Sequence, residues 1–142
     1  MKYSEVKKDL FTVDESWHLA HCISADAKMG AGIAVQFKKR FNLAVTQMVG
    51  QLGQLHVGTA VVDGDSRIFN LVTKKRYFDK PTIESFTAAV MNLKYRAEAY
   101  DVKKIAMPAI GAGLDRLDWE NNRQIIKDVF EDTDIEIMVC ML

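Results

Sequence analysis

The chain has 142 residues, 49% hydrophobic and 27% charged, so one globular domain over residues 1–142 is expected, burying roughly two-thirds of its unfolded surface. Lys plus Arg and Asp plus Glu balance at 19 each, which excludes a global field for polyanions but not a local basic patch. The cysteines, Cys22 and Cys140, have no ligand partners at useful spacing, the N-terminus lacks a signal-peptide core, and no apolar run reaches membrane length. These features point to a soluble, cytoplasmic protein with both thiols buried and reduced.

Residues 2–7 read as a short strand, and WHLAHCI (17–23) as a second, mostly apolar one. SADAKMGAG follows as a loop, then a helix from Ile33. Ile33, Ala34, Phe37 and Phe41 share one face of that helix, and Lys38, Lys39 and Arg40 lie off it. A short helix is predicted over 43–52. HVGTAVVDGDSRIFNLVT reads as a hairpin around Asp63-Gly64. Thr82 can cap a long helix, with Glu84 in its first turn and an apolar stripe of Ile83, Phe86, Val90, Leu93, Ala97 and Tyr100. KKIAMPAI gives a strand ending near Pro108. Asp118 can cap a last helix with Trp119, Ile126, Val129 and Phe130 on its apolar face. The chain closes on a strand in which Ile135, Ile137, Val139 and Met141 alternate.

Strands interleaved with helices imply an α/β domain with a largely buried sheet, and ligands of such sheets sit beyond the strand ends. MGAGIA (29–34) and AIGAGLD (109–115) occupy that place, each after a strand and before a helix. Their glycines can take positive φ and let backbone approach a ligand closely. Amides at a helix start favour an anion. Two such loops could clasp one diphosphate; either alone could simply be a tight turn. Neither has the P-loop or dinucleotide spelling, so a phosphate site here relies on backbone amides without a metal. His18 and His21 face opposite ways on their strand, and His21 is expected to be buried and hydrogen-bonded.

Three segments, HCISADAKMGAGIAVQFKKRF, LVTKKRYFDKPT and MPAIGAGLDRLDWEN, resemble in order and spacing the macrodomains of the terminal ADP-ribose protein glycohydrolase (ALC1-like) family. The resemblance runs from VKKDLF to the C-terminus. It implies a mixed six-stranded sheet sandwiched between helices, a three-layer α/β/α macrodomain, with ADP-ribose over the strand ends. By position, Asp9 and Leu10 would meet the adenine. Ser24, Met29, Gly30, Ala31, Gly32, Ile33 and Ala34 would line the diphosphate and adjacent ribose. Pro108, Ile110, Gly111, Ala112, Gly113 and Leu114 would close the other side, and Thr73, in the matched T-K-K-R, would also bind the ligand.

The resemblance also implies the chemistry. Lys74, which opens K-K-R, would attack the anomeric carbon of the distal ribose, and Asp115 would act as acid and base. A lysine attacks only as its free amine, which cations and loss of water favour. Strand alternation lets only one of Lys74 and Lys75 enter the cleft. Read without the family, K-K-R would be a solvated strand end, and Asp115 a weak surface partner of Arg116. The early asparagine and G-G-G-V-D run of other macrodomain hydrolases are absent. The expected activity is an ADP-ribosyl hydrolase acting on a Glu or Asp ester, O-acetyl-ADP-ribose or a nucleobase adduct. Alternatives are an ADP-ribose-1″-phosphate phosphatase and a non-catalytic ADP-ribose reader. No cofactor is expected. The partners are ADP-ribose and its adducts, with nucleic acid only as an ADP-ribosylated substrate and no membrane, and the chain is expected to be monomeric. YFD at 77–79 departs from the family pattern and leaves the leaving group open.

Overall fold

The computed structural model describes every residue except Leu114, so the ligand contact expected of Leu114 lies outside the described residues. In chain order the elements are β1 (Lys2–Lys7), a 3-10 turn (Leu10–Thr12), β2 (His18–Ser24), α1 (Ile33–Arg40), α2 (Ala44–Gln51), β3 (Thr59–Asp63), β4 (Ile68–Lys74), α3 (Ile83–Ala99), β5 (Lys104–Met107), α4 (Trp119–Phe130) and β6 (Glu136–Met141). The strands form one sheet in the order β1-β6-β5-β2-β4-β3. All neighbours are parallel except edge strand β3, which pairs antiparallel to β4. This is the mixed six-stranded sheet that the family resemblance implies.

Strand alternation sends side chains into two cores. Ala20, Phe69, Leu71, Ile105, Met107, Ile137 and Val139 pack against Phe86, Val90 and Leu93 of α3 and Ile126 and Phe130 of α4. Leu19, Ile23, Ile68, Val72 and Ala106 face the other way, toward Phe37 of α1, Leu43 and the 3-10 turn. Each fully buried aliphatic or Phe side chain contributes roughly 1.5–3 kcal/mol. The sequence-predicted stripe on α3 is buried except at its ends, where Ile83 is 51% and Tyr100 55% exposed. Those ends extend past the packed part of the stripe.

Two helix starts carry side-chain caps. Thr82 and Ser85 make a reciprocal capping box on α3, and Asp118 Oδ1 accepts from Glu120 N on α4. Helix α2 has no local cap of this kind; Asp63 Oδ2 accepts from Thr46 N and Oγ1 at 2.9 and 2.6 Å. The hairpin expected around Asp63-Gly64 forms, with a four-residue connection. Asp63 pairs with Ile68, and residues 64–67 form the connection, with Gly64, Asp65 and Ser66 all at positive φ. Asp63 is therefore the last strand residue and a remote cap rather than the turn centre.

Because β5, β2 and β4 are adjacent and parallel, their C-terminal ends share one edge of the sheet. The connections after β2, β4 and β5 all leave from that edge. Among the described residues, no helix is long and apolar enough to cross a membrane.

Candidate active site

A cleft of about 940 Å³ opens over these strand ends. Both glycine loops line it, with Gly30, Ala31 and Gly32 on one side and Ile110, Gly111 and Gly113 on the other. Ser24, Met29, Ile33, Ala34, Lys74, Pro108 and Asp115 complete the set of expected residues found there. Asp9 and Leu10 line an adjoining cavity of about 480 Å³, which shares Ile33 and Pro108 with the main cleft. Thr73 and Ala112 are not on the cleft wall: Thr73 is fully buried, and Ala112 sits within the turn behind Gly111.

The first loop is shaped by Asp26, which sequence reasoning did not single out. Its carboxylate accepts from Ser24 Oγ, from Lys28 N at 3.2 Å and from Tyr77 N at 2.9 Å. Burial opposes its ionisation, but these hydrogen bonds prevail and hold the carboxyl below its ordinary range. The usable signal was S-x-D-x-K, since Asp commonly bonds an amide two residues on. Ala27 and Met29 are buried at φ 52 and 48, a conformation that costs non-glycine residues of order 1–3 kcal/mol and collects at ligand sites. Gly50 of α2 makes room for this loop, because a Cβ there would stand 2.6 Å from Ala27 Cβ.

Gly32 sits at φ 62 as the N-cap of α1, with no side-chain cap and no acidic residue in the first turn. The first amides of α1 are thus left for an anion in the cleft. The second loop works differently from the sequence expectation. The start of α4 is already occupied by the Asp118 carboxylate, so only loop amides are available there. Gly111 has φ 77; a Cβ on it would meet Asn122 Nδ2 at 2.6 Å. Asn122 is buried in the apolar stripe of α4 and donates from Nδ2 to Ile110 O at 3.0 Å. Gly30 and Gly113 do not have positive φ. A Cβ on either would meet no protein atom within 4 Å, and both line the cleft; their service is open space for a ligand.

Lys74 and Asp115 meet between the loops, with Nζ donating to Oδ1 at 2.7 Å and side chains only 15% and 12% exposed. Asp115 thus pairs with Lys74, 41 residues away in sequence, rather than with Arg116. Lys75, just past the end of β4, is exposed. The backbone at Lys74 is pinned on both sides. A bulge between Ile23 and Ser24 brings Ser24 opposite Lys74, skipping Thr73. Ala25 N donates to Lys74 O at 2.8 Å, and Ser85 Oγ donates to Thr73 O at 2.6 Å.

Cys22 departs from the expected buried cysteine. It is half-buried and lines the cleft, where desolvation, reinforced by the Asp115 charge, pushes its thiol up and keeps it protonated. Cys140 is buried as expected. His21 is fully buried, and its Nε2 meets Asn70 Oδ1 at 2.6 Å. Asn70 Nδ2 donates to Val61 O, so its Oδ1 faces the ring and the imidazole carries its proton on Nε2. The ring stacks on Phe37 at 3.8 Å. Tyr77, Phe78 and Asp79 border the cleft beyond Lys74. Among the described residues, no three His, Cys, Asp or Glu side chains gather closely enough to hold a metal ion.

An α/β/α sandwich with a cleft lined by glycine loops at its strand ends is the architecture of a nucleotide-type ligand-binding domain. The family profile of the Macro domain matches residues 20–126, and the chain belongs to that family. It is 47% identical over 139 residues to ADP-ribose glycohydrolase OARD1 of Homo sapiens, covering 96% of this chain and 90% of the relative. It is 29% identical over 121 residues to DNA ADP-ribosyl glycohydrolase of Thermus aquaticus, covering 80% of this chain and 34% of that longer protein. The solved macrodomain of Thermus aquaticus DarG superposes with a TM-score of 0.88 at 27% identity, covering 99% of this chain and 98% of that one.

Proposed function

We propose that this protein is a de-ADP-ribosylating hydrolase of the terminal ADP-ribose protein glycohydrolase branch. The observation that carries the reading is the Lys74–Asp115 pair, 2.7 Å apart and sheltered between the glycine loops. A reader of ADP-ribose needs no such pair. The relatives' names support the same activity. In this reading residues 1–142 form one monomeric domain, acting in the cytoplasm with free thiols.

The adenine end occupies the smaller cavity by Asp9 and Leu10. The diphosphate lies across the amides of residues 30–34 and 110–113, and the distal ribose reaches Lys74. Ser24, Met29 and Pro108 shape the wall; Thr73 and Ala112 act from behind it, through backbone position. Asp115 Oδ1 takes a proton from Lys74 Nζ. The amine lone pair attacks the anomeric carbon, and the bond to the leaving group breaks with its electrons going to that group. Protonated Asp115 returns the proton to it. Asp115, again a carboxylate, then takes a proton from water as its oxygen adds at the same carbon; the C–N bond breaks with its electrons returning to Nζ, and ADP-ribose departs with the amine restored.

The test is a panel of ADP-ribosylated peptide, ADP-ribosylated oligonucleotide, O-acetyl-ADP-ribose and ADP-ribose-1″-phosphate. The wild type should release ADP-ribose from at least one adduct. Binding of ADP-ribose without turnover of any would establish a reader instead. Turnover of the 1″-phosphate alone would establish the phosphatase.

A further inference from the structure

Strands β2 and β4 part after their last paired residues, Ser24 and Lys74. From Ser24 the chain enters the first glycine loop. From Lys74 it enters a tight turn, in which Arg76 N donates to Asp79 Oδ2 and Asp79 N to Arg76 O, each at 3.0 Å. Two hydrogen bonds still bridge the diverging chains. Ala25 N donates to Lys74 O at 2.8 Å, and Tyr77 N donates to Asp26 Oδ2 at 2.9 Å. The segment from Lys74 to Tyr77 is therefore held at both ends.

An aspartate that closes only its own loop needs one oxygen. Asp26 Oδ1 does that alone, accepting from Ser24 Oγ and from Lys28 N. Oδ2 is left over, and it reaches Tyr77, 51 residues away in sequence. Asp26 is half-buried and does not line the cleft, so its influence on a bound ligand passes through the two segments it joins. One leads to the amides at the start of α1, and the other starts at Lys74. Those amides follow buried Met29 and run into a helix anchored by fully buried Phe37, so they keep their place without Asp26. The far end of the Lys74–Tyr77 segment does not, because Tyr77 is exposed and no strand pairing reaches it. Attack needs the amine about 3–3.5 Å from the anomeric carbon, and a misplacement of about 1 Å can cost about 10²-fold in rate.

We propose that Asp26 is a positioning residue, which fixes Lys74 against the diphosphate loop so that ADP-ribose held by one segment presents its distal ribose to the amine on the other. The proposal rests on the hydrolase reading for its chemistry. It requires a carboxylate, because both oxygens must accept. Asparagine has the same shape, but its Nδ2 only donates. Turned one way it confronts Tyr77 N–H with a second donor, and turned the other way it confronts Lys28 N–H.

The wild type, Asp26→Asn and Asp26→Ala are compared in three measurements. Calorimetry gives the Kd for ADP-ribose and the fraction of sites competent to bind. Turnover of O-acetyl-ADP-ribose, an ADP-ribosylated peptide and an ADP-ribosylated oligonucleotide gives KM, and kcat per competent site. Trapping with free ADP-ribose and cyanoborohydride reads Lys74 without turnover. The amine condenses with the open-chain aldehyde of the distal ribose, losing water, and hydride addition to the imine leaves a secondary amine visible in the intact mass. Both variants should bind ADP-ribose near the wild-type Kd and lose about tenfold or more in kcat per competent site. Both should also trap more slowly, with asparagine no better than alanine. An unchanged kcat per competent site overturns the proposal. So does a loss carried wholly by Kd, KM or the competent fraction, which is what a merely structural Asp26 would give. If the wild type hydrolyses no adduct, the hydrolase reading falls and the trapping rate decides the positioning: slower trapping in both variants supports it, and equal rates, or no trapping in the wild type, overturn it.

Discussion

Replacing Gly111 by Ala probes how the second loop is held. Alanine at φ 77 pays for a left-handed backbone, about 1–2 kcal/mol. Its Cβ would also stand 2.6 Å from Asn122 Nδ2 and 3.2 Å from Phe86 Cε1. Phe86 is fully buried in the core and has little room to move, so the Asn122 carboxamide must swing away. That breaks its bond to Ile110 O in a buried setting, at about 1–3 kcal/mol. The total is about 2–5 kcal/mol, read from urea denaturation midpoints at constant m-value. Asn122→Ala removes the clash and the hydrogen bond together. In that background Gly111→Ala should cost only the backbone part, about 1–2 kcal/mol, so the cycle is non-additive. Additive costs, or a single-variant loss below about 0.5 kcal/mol, would refute the proposed packing of Asn122 against Gly111.

Burial, opposed by the Asn70 hydrogen bond, lowers His21 to about 4 from 6.5. Between those values the unfolded chain binds a proton that the folded chain refuses, so stability present above pH 6.5 is lost on acidification, by about 3 kcal/mol at pH 4. Urea melts from pH 7 to 4 should slope more steeply for the wild type than for His21→Gln; equal slopes contradict this. Ser85→Ala removes the hydroxyl that holds Thr73 O and completes the α3 capping box. It should cost about 1 kcal/mol and lower kcat more than it raises KM; an unchanged kcat means Ser85 does not position Lys74.

The elements were legible because their signals are local. Thr82 and Asp118 cap as their residue types suggest, and the buried parts of α3 and α4 follow the apolar spacing. What joins distant segments was not. The meeting of Lys74 with Asp115 depends on β5, β2 and β4 lying side by side, which no spacing in the sequence states. Only the family resemblance put those two residues together beforehand. Asn122 and Gly50 carry no local signal, because both matter through a loop elsewhere in the chain. The hairpin around Asp63-Gly64 was legible, but not the length of its connection, residues 64–67, nor the engagement of Asp63 by Thr46. Glycine content likewise concealed two roles. Gly32 and Gly111 supply positive φ, while Gly30 and Gly113 supply space.

The central claim is that Lys74 attacks the adduct while the loops hold ADP-ribose without it. The most direct measurement pairs calorimetric ADP-ribose binding with single-turnover hydrolysis in Lys74→Ala, and intact mass of Asp115→Ala after exposure to the adduct. Lys74→Ala should bind ADP-ribose close to the wild-type Kd and release none from the adduct, and Asp115→Ala should carry an added ADP-ribosyl mass on Lys74. Hydrolysis by Lys74→Ala at the wild-type rate would contradict the lysine mechanism.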